Sequence, residues 1–421
     1  MKPLEIAVVG AGVAGITAAH LLAKKHVVTL LERNPYLGGH THTVVLESGP
    51  DAGTAIDTGF IVFNDRNYPT FLRFLAEFGL SGQPSDMSFG FSRSKNRLEY
   101  SSYVPWGLFA QLRNFCRPSF YRMIRDIVRF NQHATQDLPT GKLSQLTLGA
   151  YLREGKYSDT FLNCYLLPMG AAIWSTPPGE MLAFPAETFV RFFHNHGLIA
   201  LQDRPHWMTL PGGSHTYIHA FQKCFQGTVR TGVAITAIRR QADSVLITEK
   251  DGRQSRFDHV IIATHADEAL RLLEDPSSEE QRLLSPWRYT LNQTVLHQDP
   301  SAMPQNRKAW ASWNYVQEDV AGSENHVSLT YHMNRLQNLK THHPHFVTLN
   351  RQTPLDAKKI IKKILYTHPC YTFDSVRTQA ALPSLNGKNR TSFCGSYFGY
   401  GFHEDAVKSA ASVAQSFGIT L

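Results

Sequence analysis

Cysteine is scarce in this 421-residue chain: Cys116, Cys164, Cys224, Cys370 and Cys394 are widely scattered and odd in number. No C-x-x-C pair occurs, which excludes a disulfide framework or cysteine-rich zinc site and suits a reducing, cytoplasmic setting. No apolar run reaches the roughly 18 residues of a membrane-spanning helix. Charge is sparse too, at 18% of residues, and no block of Lys and Arg interleaves with aromatics as a nucleic-acid groove would need. The balance of 42 basic against 34 acidic residues, +8 overall, suits an acidic surface such as anionic lipid and equally a plainly solvated one. Peripheral contact at the inner face of a membrane is left open, and the oligomeric state is not readable.

What is plentiful is apolar bulk, 42% hydrophobic and 11% aromatic, enough at this length for two well-buried domains. The chain is organised around its first forty residues. Leu4–Val9 reads as a strand buried on both faces. Gly10, Gly12 and Gly15 follow in G-x-G-x-x-G spacing, Val13–Lys25 has a helical period, and Val27–Leu31 is a second strand ending at Glu32. Gly10 permits the tight turn, Gly12 lets a pyrophosphate approach the backbone, and Gly15 lets helix and strand pack closely. The helix N-terminus offers free N–H groups to the phosphates. Glu32, twenty residues beyond Gly12, is placed to accept from an adenosine ribose and argues against a 2′-phosphate. Lys2 ahead of an apolar stretch mimics a signal peptide, but cleavage there would remove this site.

Further along, Gly38-Gly39 suggests more backbone passing close to a ligand, and Ile56–Val62 reads as a short strand and turn. Tyr68–Phe78 is a helix with Phe71, Phe74, Leu75 and Phe78 on one face, and Met87–Tyr100 is a hairpin turning at Arg93–Asn96. Trp106–Leu138 and Thr147–Trp174 read as helical. Phe161–Met169 within them is either helical core or the lining of an apolar channel. Pro177, Pro178 and Pro185 punctuate before a helix at Glu187–His196. Ser214 is the expected N-cap of a helix after Pro211-Gly212-Gly213. Val229–Arg240 and Val245–Lys250 are strands, Phe257–Thr264 is a buried strand leading to a helix at Asp267–Leu273, and the α/β texture returns. Tyr289–Leu296, Trp310–Val316, His326–His332 and Phe346–Leu349 suggest a second sheet. Thr391–Ser396 is a last strand, and His403–Phe417 a last helix. The expected class is α/β (α+β overall): a Rossmann-like dinucleotide domain from residues 1–84, 208–284 and 385–421, with an inserted mixed sheet and helical substrate domain from 85–207 and 285–384.

These pieces resemble the flavin-containing amine oxidase superfamily, which includes phytoene desaturases and protoporphyrinogen oxidases. The match is carried in order by Gly10-x-Gly12-x-x-Gly15, Glu32-Arg33, Gly38-Gly39, Asp57-Thr58-Gly59, Pro211-Gly212-Gly213-Ser214, Ile261-Ile262-Ala263-Thr264, Cys394-Gly395 and Gly401-Phe402-His403-Glu404. Leu296–Asp299, Trp310–Tyr315 and Gly399–Asp405 narrow it to bacterial predicted NAD/FAD-binding proteins similar to the flavoprotein region of some plant cyclopropane fatty acid synthases. The resemblance implies FAD. Gly10, Gly12, Ala14 and Gly15 would lie at the pyrophosphate, Glu32 and Arg33 at the adenosine, and Ile235 with its backbone at the adenine. Gly38, Gly39, His40, Gly59, Phe60 and Ile61 would line the cofactor, with Gly395, Phe402, His403 and Glu404 at the flavin end. There a helix N-terminus would stabilise the charge that a reduced ring carries.

The catalytic candidates are Phe402, at an aromatic position facing the substrate; His403, with its backbone N–H on the ring and its imidazole a second candidate for proton transfer; and Asn292, where many relatives carry a Lys near flavin N5. His40 stands where an Arg is common, and a covalent flavin link at His40 or His42 is left open. No metal is expected: His194/His196 and His342/His343/His345 lack carboxylates at ligand spacing and read as solvated surface. With no second G-x-G-x-x-G, the substrate itself is expected to reduce the flavin. The reading is an FAD-dependent oxidoreductase taking a hydride from a small apolar, lipid-derived or amine substrate. A redox-neutral flavin isomerase and a non-catalytic flavin-binding partner of a lipid-modifying enzyme are the alternatives.

Overall fold

The computed structural model describes residues 2–93, 98–174, 178–199, 204–320 and 323–421. The expected turn of the first hairpin (residues 94–96) and Pro177 lie outside these. A five-stranded parallel sheet forms in the order Thr228–Arg230, Val27–Leu31, Glu5–Val9, His259–Ile262, Thr391–Phe393. Its three central strands are nearly continuous aliphatic runs because both faces are covered. The helices Val13–Leu22 and His403–Ser416 lie against each other on this sheet. Ala18 and Ala19 of one and Ala406, Ala410 and Ala414 of the other let the backbones approach closely in a core with Ile16, Val407 and Val413.

A seven-stranded sheet stands apart in sequence, in the order Ile360–Cys370, Arg288–His297, Phe346–Leu349, Ser323–His332, Trp313–Val320, Phe89–Arg93, Leu98–Ser101. The aromatic helices Pro118–Asp137, Leu148–Glu154, Leu167–Trp174 and Ala186–Asn195 share one core with its hairpin end. A three-stranded antiparallel sheet, Ile235–Arg240, Val245–Glu249 and Gln254–Phe257, is joined by two smaller ones, Thr43–Val45 with Ala55–Asp57, and Trp207–Thr209 between Phe63–Asn64 and Gln83–Pro84. The α/β class therefore holds, with antiparallel and helical layers added.

Several expected elements are cut differently. The helix foreseen over Trp106–Leu138 begins only at Pro118, because a residue before proline is driven out of the helical region and Arg117 is extended (φ −106°, ψ 101°). The one foreseen over Thr147–Trp174 breaks at Gly155–Ser158 and passes through a π turn at Leu162–Leu166. Pro168 has no N–H for the Cys164 carbonyl four residues back, and the Tyr100 hydroxyl donates to that oxygen instead, at 2.6 Å. Val229–Arg240 splits at Gly232 (φ +71°), sending Thr228–Arg230 to the parallel sheet and Ile235–Arg240 to the antiparallel one. Ile360–Cys370 was not foreseen as a strand at all. Its lysines mask the period, and they belong there because it is an edge strand.

Candidate functional site

Gly10, Gly12 and Gly15 sit at the carboxyl end of Glu5–Val9. A Cβ on Gly15 would fall 1.8 Å from the Gly10 carbonyl oxygen, and Gly10 itself has φ +98°, so both glycines are required by the protein's own packing. Gly12 is different. It is extended (φ −70°, ψ 178°), and a Cβ there would meet nothing within 4 Å. As the N-cap of Val13–Leu22 it offers no side-chain oxygen to the first turn, which includes the buried Ala14. Open space over an uncapped helix N-terminus is the cradle a pyrophosphate needs.

Glu32 holds this loop from the next strand. One of its oxygens accepts from the Ala11 N–H (2.7 Å), the other from the backbone and side chain of Asn34 (2.9 and 2.8 Å). Arg33 points away into an ion pair with Glu268 at 2.7 Å. The Val233 and Gly232 N–H groups donate to the carbonyls of Glu32 and Asn34, which ties the segment leading to Ile235 to the end of the second strand. Gly38 donates to the Ala11 carbonyl, and a Cβ on Gly39 would stand 3.2 Å from the Gly12 Cα, so the two glycine loops touch. Gly12, Gly39, His40, Gly59 and Phe60 are each half-buried between buried neighbours, the pattern that the wall of a crevice gives.

Downstream, Asp57 is fully buried and accepts from the Ser214 N–H and hydroxyl, Thr43 Oγ1 and Gln337 Nε2. Burial pushes its carboxyl up to about 6 against these bonds, which favour the ionised form. Ser214 is thus spent on Asp57, and the helix His215–Cys224 is capped instead by Thr43 Oγ1, which accepts from the His215 N–H at 3.0 Å. Gly59 lies against the His40 carbonyl, and the Ile61 carbonyl accepts from Thr209 Oγ1.

The other end is built around the helix His403–Ser416. Phe402 at its N-cap has no side-chain oxygen, so this helix N-terminus too lacks a side-chain cap. Asp405 reaches back to accept from the Phe402 N–H at 3.0 Å. The Phe402 ring packs on Phe192 (5.0 Å, 21°), which itself packs on Trp174 (4.7 Å). His403 lies face to face with Phe60 at 3.5 Å, and its Nε2 meets Thr41 Oγ1 (2.9 Å), which meets the Tyr217 hydroxyl (2.5 Å). Burial pushes the His403 imidazole down to about 3, so it is neutral at neutral pH and a weak base. Glu404 is committed elsewhere: its carboxylate accepts from the Thr70 and Phe71 N–H groups and caps Pro69–Ala76. Gly395 exchanges both backbone bonds with Ser409.

Asn292 belongs to a third group. Its Nδ2 contacts His368 Nδ1 (2.8 Å), and its Oδ1 accepts from Asn350 (2.6 Å). The His40 ring lies 5.3 Å from that of His368, 5.2 Å from Tyr366 and 5.9 Å from His265. Burial, then these neighbouring imidazoles, hold His40 well below its ordinary value. Tyr366, His368 and Tyr217 were not singled out from the sequence. The alternation of Tyr366 and His368 was the available signal, and it went unread because the strand did. Among the described residues no group of three or more His, Cys, Asp or Glu is arranged to hold a metal. Two histidines read as surface are in fact interior: His196 stacks on Phe192 at 3.8 Å, and His345 is fully buried, whereas His342 is exposed and bonds Asp51.

The whole chain has the architecture of several solved flavoenzymes. A fatty acid isomerase from P. acnes, described as CLA-producing, superposes with TM-score 0.71 at 15% identity, covering 99% of each chain. Putrescine oxidase bound to putrescine gives TM-score 0.69 at 13% identity, again over 99% of each. Cyclohexylamine oxidase from Brevibacterium oxydans gives 0.69 at 15%, over 99% of this chain and 100% of that one. No curated protein matches in sequence. The model of the family described as flavin containing amine oxidoreductase matches residues 13–300. A cradle open only at Gly12, a second uncapped helix end at Phe402 and a match spanning most of the chain lead to one conclusion: the protein belongs to the flavin containing amine oxidoreductase family and is an FAD-dependent oxidoreductase.

Proposed function

We propose that this enzyme removes a hydride from a small apolar substrate, an alkyl amine or a lipid-derived molecule, seated against Phe402. The observation that carries this reading is the pairing of two helix N-termini whose cap residues, Gly12 and Phe402, offer no oxygen. Arg117 and Pro185 likewise leave their helices without a side-chain cap, and what sets the Gly12 end apart is the open space above it, where an added Cβ would meet nothing within 4 Å. An electron-rich dinucleotide is the ligand that would use both open ends. FAD, when bound, supplies the two-electron acceptor. Residues 1–84, 208–284 and 385–421 would hold it, and 85–207 with 285–384 would shape the substrate side. Gly12 admits the pyrophosphate, Glu32 and the backbone near Ile235 orient the adenosine end, and the first turn after Phe402 favours negative charge at the ring edge. Phe402, Phe192 and Trp174 form an apolar wall, while Asn292, held by His368 and Asn350, presents a fixed amide. Titrating the purified, flavin-loaded protein anaerobically with alkyl amines and unsaturated fatty acids tests this. Bleaching of the flavin by one class is expected. Turnover without bleaching would instead favour an isomerase. Peripheral contact with a membrane belongs to the same reading; among the described residues no helix is long and apolar enough to cross one.

A further inference from the structure

Residues 103–128 expose side chains that a water-facing surface seldom keeps together. Val104, Trp106 and Leu112 are 76%, 81% and 82% exposed, and Phe115 and Tyr121 are about half exposed. They lie close together along the chain, and part of the set is tied together in space. Phe115 stacks on Phe109 at 3.9 Å, and the Tyr121 hydroxyl donates to the Phe115 carbonyl at 3.1 Å, tying the loop to the helix Pro118–Asp137. On that helix Phe120, Met123 and Phe130 face the core, while Tyr121, Arg122, Arg125 and Val128 face out.

The charge on this surface has one sign. Between Tyr100 and Arg125 the sequence holds Arg113, Arg117, Arg122 and Arg125 and no Asp or Glu. The bordering carboxylates are turned inward or paired. Glu99 is buried and accepts from the Gln305 and Asn306 N–H groups. Asp126 is buried on Arg129 and the Ser158 N–H, and Asp86 takes the Tyr103 hydroxyl and Arg335. Aromatic and aliphatic tips among arginines match the layered chemistry of a bilayer surface, where rings and Leu enter the headgroup region and guanidinium groups meet lipid anions. A second copy fits poorly, because it would bring the same arginines face to face.

We propose that this face docks the protein on anionic lipid bilayers, with Trp106 and Leu112 as the inserting residues. The proposal gives a location to the peripheral contact named above and rests on that part of the reading alone. It is tested with the flavin-loaded, full-length protein and vesicles of phosphatidylcholine, with or without phosphatidylserine. Co-sedimentation with the mixed vesicles is expected, reversed at about 1 M salt, where screening shortens to roughly 3 Å. Trp106→Ser with Leu112→Ser should weaken binding at least about tenfold, and Arg122→Gln and Arg125→Gln about fivefold each. Flavin content and melting temperature should not change, which separates this outcome from any failure of the catalytic reading. Absence of binding, equal binding to neutral vesicles, or equal binding by the variants overturns the proposal. So does a dimer in analytical ultracentrifugation that Trp106→Ser with Leu112→Ser disperses.

Discussion

Gly12→Ala separates what the fold needs from what the cofactor needs. In the ligand-free protein the substitution should be nearly silent. The added Cβ meets nothing within 4 Å, and the backbone at φ −70° and ψ 178° suits any residue. Replacing glycine stiffens the unfolded chain, worth about 0.4–1 kcal/mol. Alanine is a poorer N-cap than glycine by a similar amount. The two offset, leaving about 0.5 kcal/mol either way and a melting shift of no more than about 2 °C. Gly15→Ala is the control: its Cβ would lie 1.8 Å from the Gly10 carbonyl oxygen, an overlap the strand–helix junction can relieve only by moving. It should cost roughly 3 kcal/mol or more and lower flavin content through instability. For Gly12→Ala the loss should be in affinity alone, since the methyl group takes the volume in which phosphate oxygens approach the N–H groups of the first turn. A Kd at least about 100-fold higher, near 2.7 kcal/mol, is expected, and Gly12→Val should abolish binding. The assay is flavin absorbance after desalting, with apo-protein melting measured in parallel. Stoichiometric FAD retained by Gly12→Ala, or an apo variant that fails to fold, would refute the assignment of that space to a diphosphate.

Phe402→Ala should keep FAD yet lower kcat/KM by about tenfold or more, equivalent to roughly 1.4 kcal/mol, by opening the wall it makes with Phe192; unchanged kinetics count against a substrate-facing ring. Tyr100→Phe should cost about 1–3 kcal/mol, read from a denaturant midpoint, because it strands the Cys164 carbonyl that Pro168 cannot serve; a change below about 0.5 kcal/mol would show that carbonyl to be satisfied otherwise. Acid should destabilise the apo-protein. Burial lowers His403 to about 3 and His196, His259, His297, His332 and His368 to about 4, from 6.5. Their folded values lie below their unfolded ones, so the stability they contribute is present above pH 6.5 and lost as pH falls, by up to about 2 kcal/mol each at pH 5. Asp57 and Asp405, raised by burial to about 6 and about 7, act in the opposite sense over the same window. The six histidines outweigh the two carboxylates, so the net effect of acid between pH 7 and 5 is destabilising. Unfolding midpoints that stay flat across that range would contradict it.

The first two strands of the parallel sheet were legible because Glu5–Val9 and Val27–Leu31 are short apolar runs ending at Gly10 and Glu32, a local signal. The last helix was legible from its period, and the glycine turn before Val13–Leu22 from spacing alone. What escaped the sequence depends on partners distant along the chain. Ser214 looks like a cap, but Asp57, 157 residues away, takes its hydroxyl. Glu404 looks like part of the site, yet its carboxylate closes a helix more than 300 residues earlier. The strand Ile360–Cys370 lacks an alternating pattern because residues 361–363 are exposed in succession on both faces, and with it went His368 and Tyr366. The helical breaks at Gly155 and Pro168 are local chemistry that the dense aromatic period concealed.

The parallel sheet places Thr391–Phe393 beside His259–Ile262, and the helix after it rests on the one that follows Gly12. During synthesis, then, the glycine turn emerges first but has no finished support until residues 391–416 have cleared the ribosome. A nascent polypeptide cannot load its flavin early, and translation products halted before that point should emerge colourless and be open to proteolysis.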